Sequence, residues 1–162
     1  MATFLNDNKR THYSGDLRRE HAGHKVVLLG WVQGRRDLGG RIFLDLRDRT
    51  GLRDRSGISQ VVFGPDISAQ AHRDADCLRN EFCIGIIGTV KLRSDSGGTA
   101  NPNLPSGEIE VEASELHVFS KSDTPPFQIE DDVETREEIR LKYRYLDLRR
   151  PKLQKNFQLR SK

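Results

Sequence analysis

The chain has 162 residues, which is enough for one modest domain and an additional helix or linker. A hydrophobic fraction of 35% and a charged fraction of 31% indicate a globular protein, and the longest apolar run, Val26 to Leu29, is far too short to span a bilayer. The net charge of +3 merely permits a polyanionic partner, and the polar first ten residues do not form a signal peptide, so we expect a cytoplasmic protein.

The N-terminal part is predicted to contain a short helix, a strand and a charged turn. The helix lies around residues 16–20, with Ser14 as its N-cap. An apolar run from Val26 to Val32 predicts the first strand. The segment 35–40 is charged and ends in two glycines, so it predicts the turn into the second strand.

Two further strands follow, and their side chains alternate between two faces. The second strand, Arg41 to Arg47, separates three apolar side chains from four others: Ile42, Leu44 and Leu46 against Arg41, Phe43, Asp45 and Arg47. The third strand, Ile58 to Phe63, places Ser59, Val61 and Phe63 opposite Ile58, Gln60 and Val62. The apolar faces of these strands predict one wall of a buried core.

A helix and two strands complete the predicted domain. Apolar residues recur at helical spacing in 68–79, which predicts one amphipathic helix. The fourth strand runs from Cys83 to Leu92, and a polar loop from Ser94 to Ser106 follows it. The fifth strand covers Glu108 to Ala113, directs its glutamates outward, and is compatible with a continuation to Phe119.

Three strands, a helix and two more strands is the element order of an OB-fold. The predicted fold class is therefore mainly β: a five-stranded OB-fold Greek-key barrel with a helix between strands three and four, plus a C-terminal linker and helix. A six-stranded sandwich with an accessory helix is the alternative that periodicity leaves open.

The C-terminal part begins with two prolines at 125–126, which stiffen the chain and predict a linker. Thr135 and Glu138 have the form of a capping box that opens a helix toward Tyr145. Pro151 is expected to interrupt that helix, and 152–162 is expected to begin a larger unit.

A hexapeptide is duplicated between the second and third strands. Residues 46–51 read Leu-Arg-Asp-Arg-Thr-Gly, and 52–57 repeat them with one change, Thr to Ser. We expect a hairpin turn lengthened by this insertion, because loop-closure entropy grows only logarithmically with length. Neither Cys77 nor Cys83 has partners at ligand spacing, so free thiols and no metal site are expected.

Phe43 is the residue that points most directly to a function. It lies on the polar face of the second strand, and an aromatic side chain on that face of an OB-barrel is a stacking platform for a nucleic-acid base. Gln60 and Glu110 add a donor and acceptors on the same face, as in base-specific recognition of single strands. An ordinary exposed aromatic, or one covered by a loop, is the alternative.

Several segments together closely resemble the N-terminal anticodon-binding domain of bacterial-type aspartyl-tRNA synthetases. The resemblance extends from Arg10 to Lys162. The matching segments are Trp31 to Val32, Arg35 to Arg49, Gln60 to Phe63, Gly107 to Val111, Pro125 to Phe127, Ile129 to Asp132 and Arg140 to Pro151. The segment Tyr145 to Pro151 favours the aspartyl member over the related lysyl and asparaginyl enzymes.

The resemblance implies a set of anticodon-binding residues: Phe43, Gln60, Glu110, Arg35, Arg36, Arg93 and Leu38. Phe43 matches the aromatic residue that stacks on the central anticodon base, a uridine, while Gln60 and Glu110 match readers of base edges. Leu38 matches a position associated with discrimination between aspartate and asparagine tRNAs, whereas the loop Ser94 to Ser106 is similar to the relaxed type. Gly34 stands where the family usually has a third arginine.

The resemblance also implies a domain organisation and a partner. We expect an OB-fold anticodon-binding domain over 1–119, a linker over 120–134, and a hinge helix with the start of a catalytic domain over 135–162. The expected partner is the anticodon stem-loop of tRNA(Asp), without a membrane. No catalytic residues and no cofactor are expected in this chain; ATP and magnesium belong to the parent aspartate–tRNA ligase. The parent is expected to be a homodimer, and a monomer stays open for this chain.

Two other functions remain open from the sequence. One is a free-standing OB-fold protein that binds single-stranded nucleic acid and derives from such a module. The other is a structural or interaction domain whose sheet face is inert.

Overall fold

The computed structural model describes residues 2–49 and 57–161, and for Ala2 and Thr3 only the backbone. The duplicated hexapeptide falls mostly within 50–56, so the predicted lengthening of the hairpin turn lies outside the described residues. No helix in the described ranges is long and apolar enough to cross a membrane.

Five strands and a helix form the barrel. The strands are β1, Lys25–Leu38; β2, Arg41–Arg47; β3, Ile58–Phe63; β4, Cys83–Leu92; and β5, Ile109–Ser120. An N-terminal helix α1, Ala2–Asp7, precedes them, and helix α2, Ala69–Asp76, connects β3 to β4. The ends of β2, β3 and β4 are those that alternation predicted, and β5 continues past Ala113 as the sequence allowed.

The strands close into a barrel in the order β1-β2-β3-β5-β4, with β4 returning to β1. Most neighbours are antiparallel, and β3 pairs with β5 in parallel. This topology confirms the five-stranded OB-fold with its helix between the third and fourth strands and excludes the six-stranded sandwich.

The core fills the inside of the barrel. Side chains from all five strands are at most 1% exposed there, among them Leu28, Ile42, Leu44, Val61, Ile84, Ile86 and Val111. Helix α2 closes one end with Ala71 and Ala75, and Ser68 caps its first turn by accepting a hydrogen bond from the Ala71 N–H. The alternation seen in the sequence therefore corresponds to inside and outside of one barrel.

The N-terminal predictions need two corrections. The expected helix at 16–20 is two separate 3-10 turns, Ser14–Asp16 and Arg19–His21, and Tyr13 rather than Ser14 precedes the first. The expected turn at 35–40 shrinks to Gly39 and Gly40, because β1 continues through 35–38. Both glycines have positive φ, +62° and +78°, which suits a two-residue hairpin loop.

The C-terminal predictions need corrections too. Helix α3, Glu137–Lys142, follows Arg136, and no side chain caps its start, so the Thr135 capping box does not form. A short helix α4, Arg144–Asp147, comes next. Pro151 begins helix α5, Pro151–Arg160, where its missing N–H costs no intrahelical bond. The predicted domain limits stay predictions.

Candidate nucleic-acid interface

A β-bulge in β1 decides which side chains face outward beside Phe43. The register between β1 and β2 shifts between Val32 and Gly34. As a result, Arg36 lies opposite Phe43 on the outer face, whereas Arg35 lies opposite the fully buried Leu44. Bulges re-aim side chains in this way because a one-residue shift exchanges the two faces.

A groove of about 510 Å³ lies on the outer face of the barrel. Its walls come from β2, β3 and β5 and from the loop after β4: Arg41, Phe43, Gln60, Val62, Arg93, Asp95, Ser96, Gly97, Gly98, Thr99, Glu110 and Glu112. Four predicted site residues, Phe43, Gln60, Arg93 and Glu110, therefore meet in one groove. Arg41 was not among the predicted site residues, although it shares the face of Phe43 by alternation. Residues 95–99 belong to the loop Ser94 to Ser106, which the resemblance already associated with the choice between the two tRNAs.

Gln60 and Glu110 are joined in the groove by a hydrogen bond. The Gln60 Nε2 donates to Glu110 Oε2 over 3.2 Å, and Glu110 is only 4% exposed. Since an ionised carboxylate only accepts hydrogen bonds, this contact fixes the direction of the Gln60 amide. Its carbonyl oxygen and second N–H are then directed away from Glu110. The sequence predicted an outward Glu110; it does face outward from the barrel, but the groove buries it.

Arg93 lies at the base of the groove and is 7% exposed. Its Nε donates to the Ile109 carbonyl over 3.1 Å, and its Nη2 has no hydrogen-bond partner among the described residues. Burial lowers the pKa of Arg93, and the nearby Glu110 and Asp45 act in the opposite direction. Arg93 therefore offers a buried cationic donor to a ligand in the groove.

Asp45 and Arg36 form an ion pair next to Phe43. Arg36 Nη2 lies 2.9 Å from Asp45 Oδ1. Burial raises the pKa of Asp45, while Arg36 and Arg93 lower it. A Cβ added at Gly34 would lie 3.4 Å from Asp45 Oδ2, so a larger residue at this position would touch this pair.

Arg35 and Leu38 do not line the groove. Arg35 Nη2 lies 2.6 Å from Asp76 Oδ1 on helix α2. Leu38 is 62% exposed at the end of β1, where it pairs with Arg41. The prediction that Arg35 contacts RNA thus has no support from the groove geometry.

Arg47 departs from the expected pattern. The sequence places it on the exposed face of β2, but it is 5% exposed and bound to Glu81. The loop before β4 covers this end of the strand, so Arg47 belongs to the structure of the barrel rather than to the groove.

Comparison with known proteins agrees with this geometry. Residues 52–119 match the model of the OB-fold nucleic acid binding domain family. The aspartate–tRNA(Asp/Asn) ligase of Halothermothrix orenii is 49% identical over the whole chain, which covers 26% of that protein. The aspartate–tRNA ligase of Lysinibacillus sphaericus is 56% identical over 94% of the chain and 24% of its own length.

The chain matches the anticodon-binding region of aspartyl-tRNA synthetases. It spans about a quarter of the length of the curated relatives it matches. An aspartyl-tRNA synthetase from Entamoeba histolytica shares the fold, with a TM-score of 0.78 at 21% identity over 98% of this chain and 36% of that one. The resemblance to aspartyl-tRNA synthetases seen in the sequence is therefore confirmed.

Proposed function

We propose that this chain binds the anticodon loop of tRNA(Asp) through the groove around Phe43, as the recognition module of an aspartate–tRNA ligase. The observation that carries the proposal is the convergence of one aromatic ring, one oriented amide and one buried arginine, Phe43, Gln60 and Arg93, in a single groove. These are a stacking surface, a reader of a base edge and a cationic donor.

The chemistry of the groove accommodates the uracil that the family resemblance implies at the centre of the anticodon. A base stacked on Phe43 presents its edge toward Gln60. Uracil has one N–H between two carbonyl oxygens, and a side-chain amide provides both an acceptor and a donor for that pattern. Because Glu110 holds the amide in one direction, the acceptor and the donor are already oriented before RNA binds.

The activity of the whole protein is also part of the proposal. We propose that the longer protein joins aspartate to tRNA with ATP and magnesium held outside this chain, as a cytoplasmic homodimer. A free-standing nucleic-acid-binding protein is less favoured, because the match to aspartate–tRNA ligases also covers the linker and the C-terminal helices.

The test is the affinity for a fluorescent anticodon stem-loop. Phe43→Ala should weaken binding by about 1–3 kcal/mol, or roughly fivefold to 150-fold, because one stacking platform is lost. Phe157→Ala is the matched control, since Phe157 is a half-exposed aromatic in α5 outside the groove. Equal affinities for folded Phe43→Ala and Phe157→Ala would contradict the proposal.

A further inference from the structure

Two arginines and one glutamate join the barrel to the C-terminal helices. Both Glu81 carboxylate oxygens accept from Arg47 Nη2 over 2.9 Å. Arg149, between α4 and α5, places its Nη1 3.3 Å from Glu81 Oε2. Among the described residues, the Arg149–Glu81 contact is the ion pair that crosses from the barrel to the C-terminal helices.

The barrel fixes the Glu81 backbone. Its N–H donates to the Val32 carbonyl over 2.7 Å, and the Val32 N–H donates to the carbonyl of Phe82 over 3.0 Å. Glu81 has a φ of +65°, and among the described residues it alone has a positive φ without being glycine. Glycine or asparagine adopts this conformation more readily, and glutamate supplies a carboxylate here that neither of them offers.

The barrel also requires the Glu81 carboxylate. Arg47 lies between Trp31 and Ile58 in the β1-β2-β3 register and is nearly buried. Burial lowers the pKa of Arg47, and Glu81 opposes this shift without cancelling it. Glu81 thus makes two ion pairs, a nearly buried one with Arg47 and a more exposed one with Arg149, whose side chain is 30% exposed.

On the C-terminal side of the Arg149–Glu81 contact, hydrogen bonds and an ion pair hold the linker and the helices together. Arg150 Nη1 lies 3.0 Å from Asp147 Oδ1, and its Nη2 donates to the Asp131 carbonyl over 2.7 Å. The Lys152 N–H donates to Asp131 Oδ1 over 2.9 Å. Arg149 therefore projects from a corner whose two helices and linker are tied together.

Apolar packing between linker and barrel is limited. A second groove of about 510 Å³, distinct from the groove around Phe43, lies between them. It is lined by Leu78, Glu81, Pro125 and Phe127 among others. Phe127, at 6% exposure, is the buried apolar residue of the linker. An open groove leaves polar contacts to decide the direction of the linker, since a close-packed interface would leave no such space.

We propose that Glu81 is a positioning residue: it holds Arg149 and so fixes the direction in which the C-terminal helices leave the barrel. For the proposed ligase, on which this consequence rests, Glu81 would set where a bound anticodon lies relative to the rest of the enzyme. The positioning itself does not require RNA.

Residual dipolar couplings of the whole 162-residue chain, measured without RNA, test the proposal. In the wild type, couplings from the barrel strands and from α5 should fit one alignment tensor. Glu81→Gln and Arg149→Met should both make the α5 couplings smaller than those of the barrel, because the helices then reorient. Glu115→Gln, an exposed glutamate of β5, is the control and should keep one tensor.

Arg149→Met keeps the result interpretable if Glu81→Gln fails to fold, because Arg149 lies outside the barrel. Arg149→Lys should restore the single tensor, since it restores the cation. Two results would overturn the role of Glu81. One is a folded Arg149→Met variant whose barrel and α5 couplings still fit one tensor. The other is a folded Glu81→Gln variant that fits one tensor although Arg149→Met does not. Stem-loop affinity should be unchanged in Arg149→Met, so a wild type that binds no RNA would refute the proposed function and leave this result standing.

Discussion

Arg35 and Arg36 are neighbours in sequence, and the structure predicts that removing the Arg36 cation weakens RNA binding whereas removing the Arg35 cation does not. Arg36 faces outward opposite Phe43, and its side chain is 53% exposed. Arg35 is directed toward helix α2, is 21% exposed, and is paired with Asp76. Replacing each with methionine keeps most of the apolar stem and removes only the cation, so the two variants are a matched pair.

The magnitude follows from the number of cations that can reach a phosphate. Arg36, Arg41 and Arg93 are the arginines at or beside the groove. At about 0.7 log unit of affinity per log unit of salt for each phosphate neutralised on a single strand, three contacts give a slope of about 2. The surface ion pair between Arg36 and Asp45 is worth at most about 1 kcal/mol, so RNA can displace it.

The assay is stem-loop affinity measured across a tenfold range of potassium chloride. The wild type should lose roughly 100-fold in affinity across that range, and Arg36→Met only about 25-fold. Arg35→Met should keep the wild-type slope. A slope reduced equally in both variants would show that the bulge does not set the RNA-facing side, and a flat wild-type titration would refute phosphate contacts altogether.

Two further predictions concern Asp45 and Leu38. Because burial raises the pKa of Asp45 above 3.8, its contribution to the free energy of unfolding is largest below that pH and is lost as the pH rises through the raised pKa. The stability of Asp45→Asn relative to the wild type should therefore increase between about pH 3 and pH 7 in urea unfolding, and a decrease would contradict the burial argument. The resemblance implies that aspartate and asparagine tRNAs are told apart by the third anticodon base, G-U-C against G-U-U. The wild type should prefer the G-U-C stem-loop by only about fivefold to tenfold, the lower end of what one base reader provides, because the loop residues 97–99 carry no basic side chain. Leu38 lies outside the groove but pairs with the groove residue Arg41, so Leu38→Ala should abolish this preference, and it should do so without loss of stability because Leu38 is largely exposed. A preference above roughly a hundredfold in the wild type would show that the loop reads the base.

The barrel was predictable because its strands follow a strict alternation. In β2, Ile42 and Leu44 are buried while Phe43 between them is not, and the sequence alone gives that difference. The order of strands and helix then leaves few topologies, of which the OB-fold is one. The same pattern placed Phe43 on the ligand side.

Side chains whose surroundings come from distant segments were not predictable in the same way. Simple alternation from the buried Val32 would direct Arg35 outward, but the bulge directs Arg36 there instead. Arg47 and Glu110 occupy outward positions, yet the loops before β4 and after β4 cover them. Alternation predicts the face of the sheet to which a side chain is directed, but it does not predict whether a loop covers that face.

The C-terminal helices illustrate a second limit. The Thr135 and Glu138 spacing matches a capping box, but the helix starts at Glu137 without a side-chain cap. Arg150, which follows the short helix α4, donates to the Asp131 carbonyl, so the contact between the C-terminal helices and the linker joins residues 19 positions apart. The Thr135 and Glu138 spacing therefore did not fix the start of the helix, and helix ends in general are defined only to within one or two residues.

Mapping the amide chemical shifts of the labelled chain during titration with the anticodon stem-loop tests the central claim most directly. The changes should centre on Phe43, Gln60, Arg93, Glu110 and the loop 95–99, and should leave the outer face of β4 and β5 around Glu115 unchanged. Changes centred around Glu115, or no changes at RNA concentrations that saturate binding, would contradict the assignment of the Phe43 groove as the anticodon site.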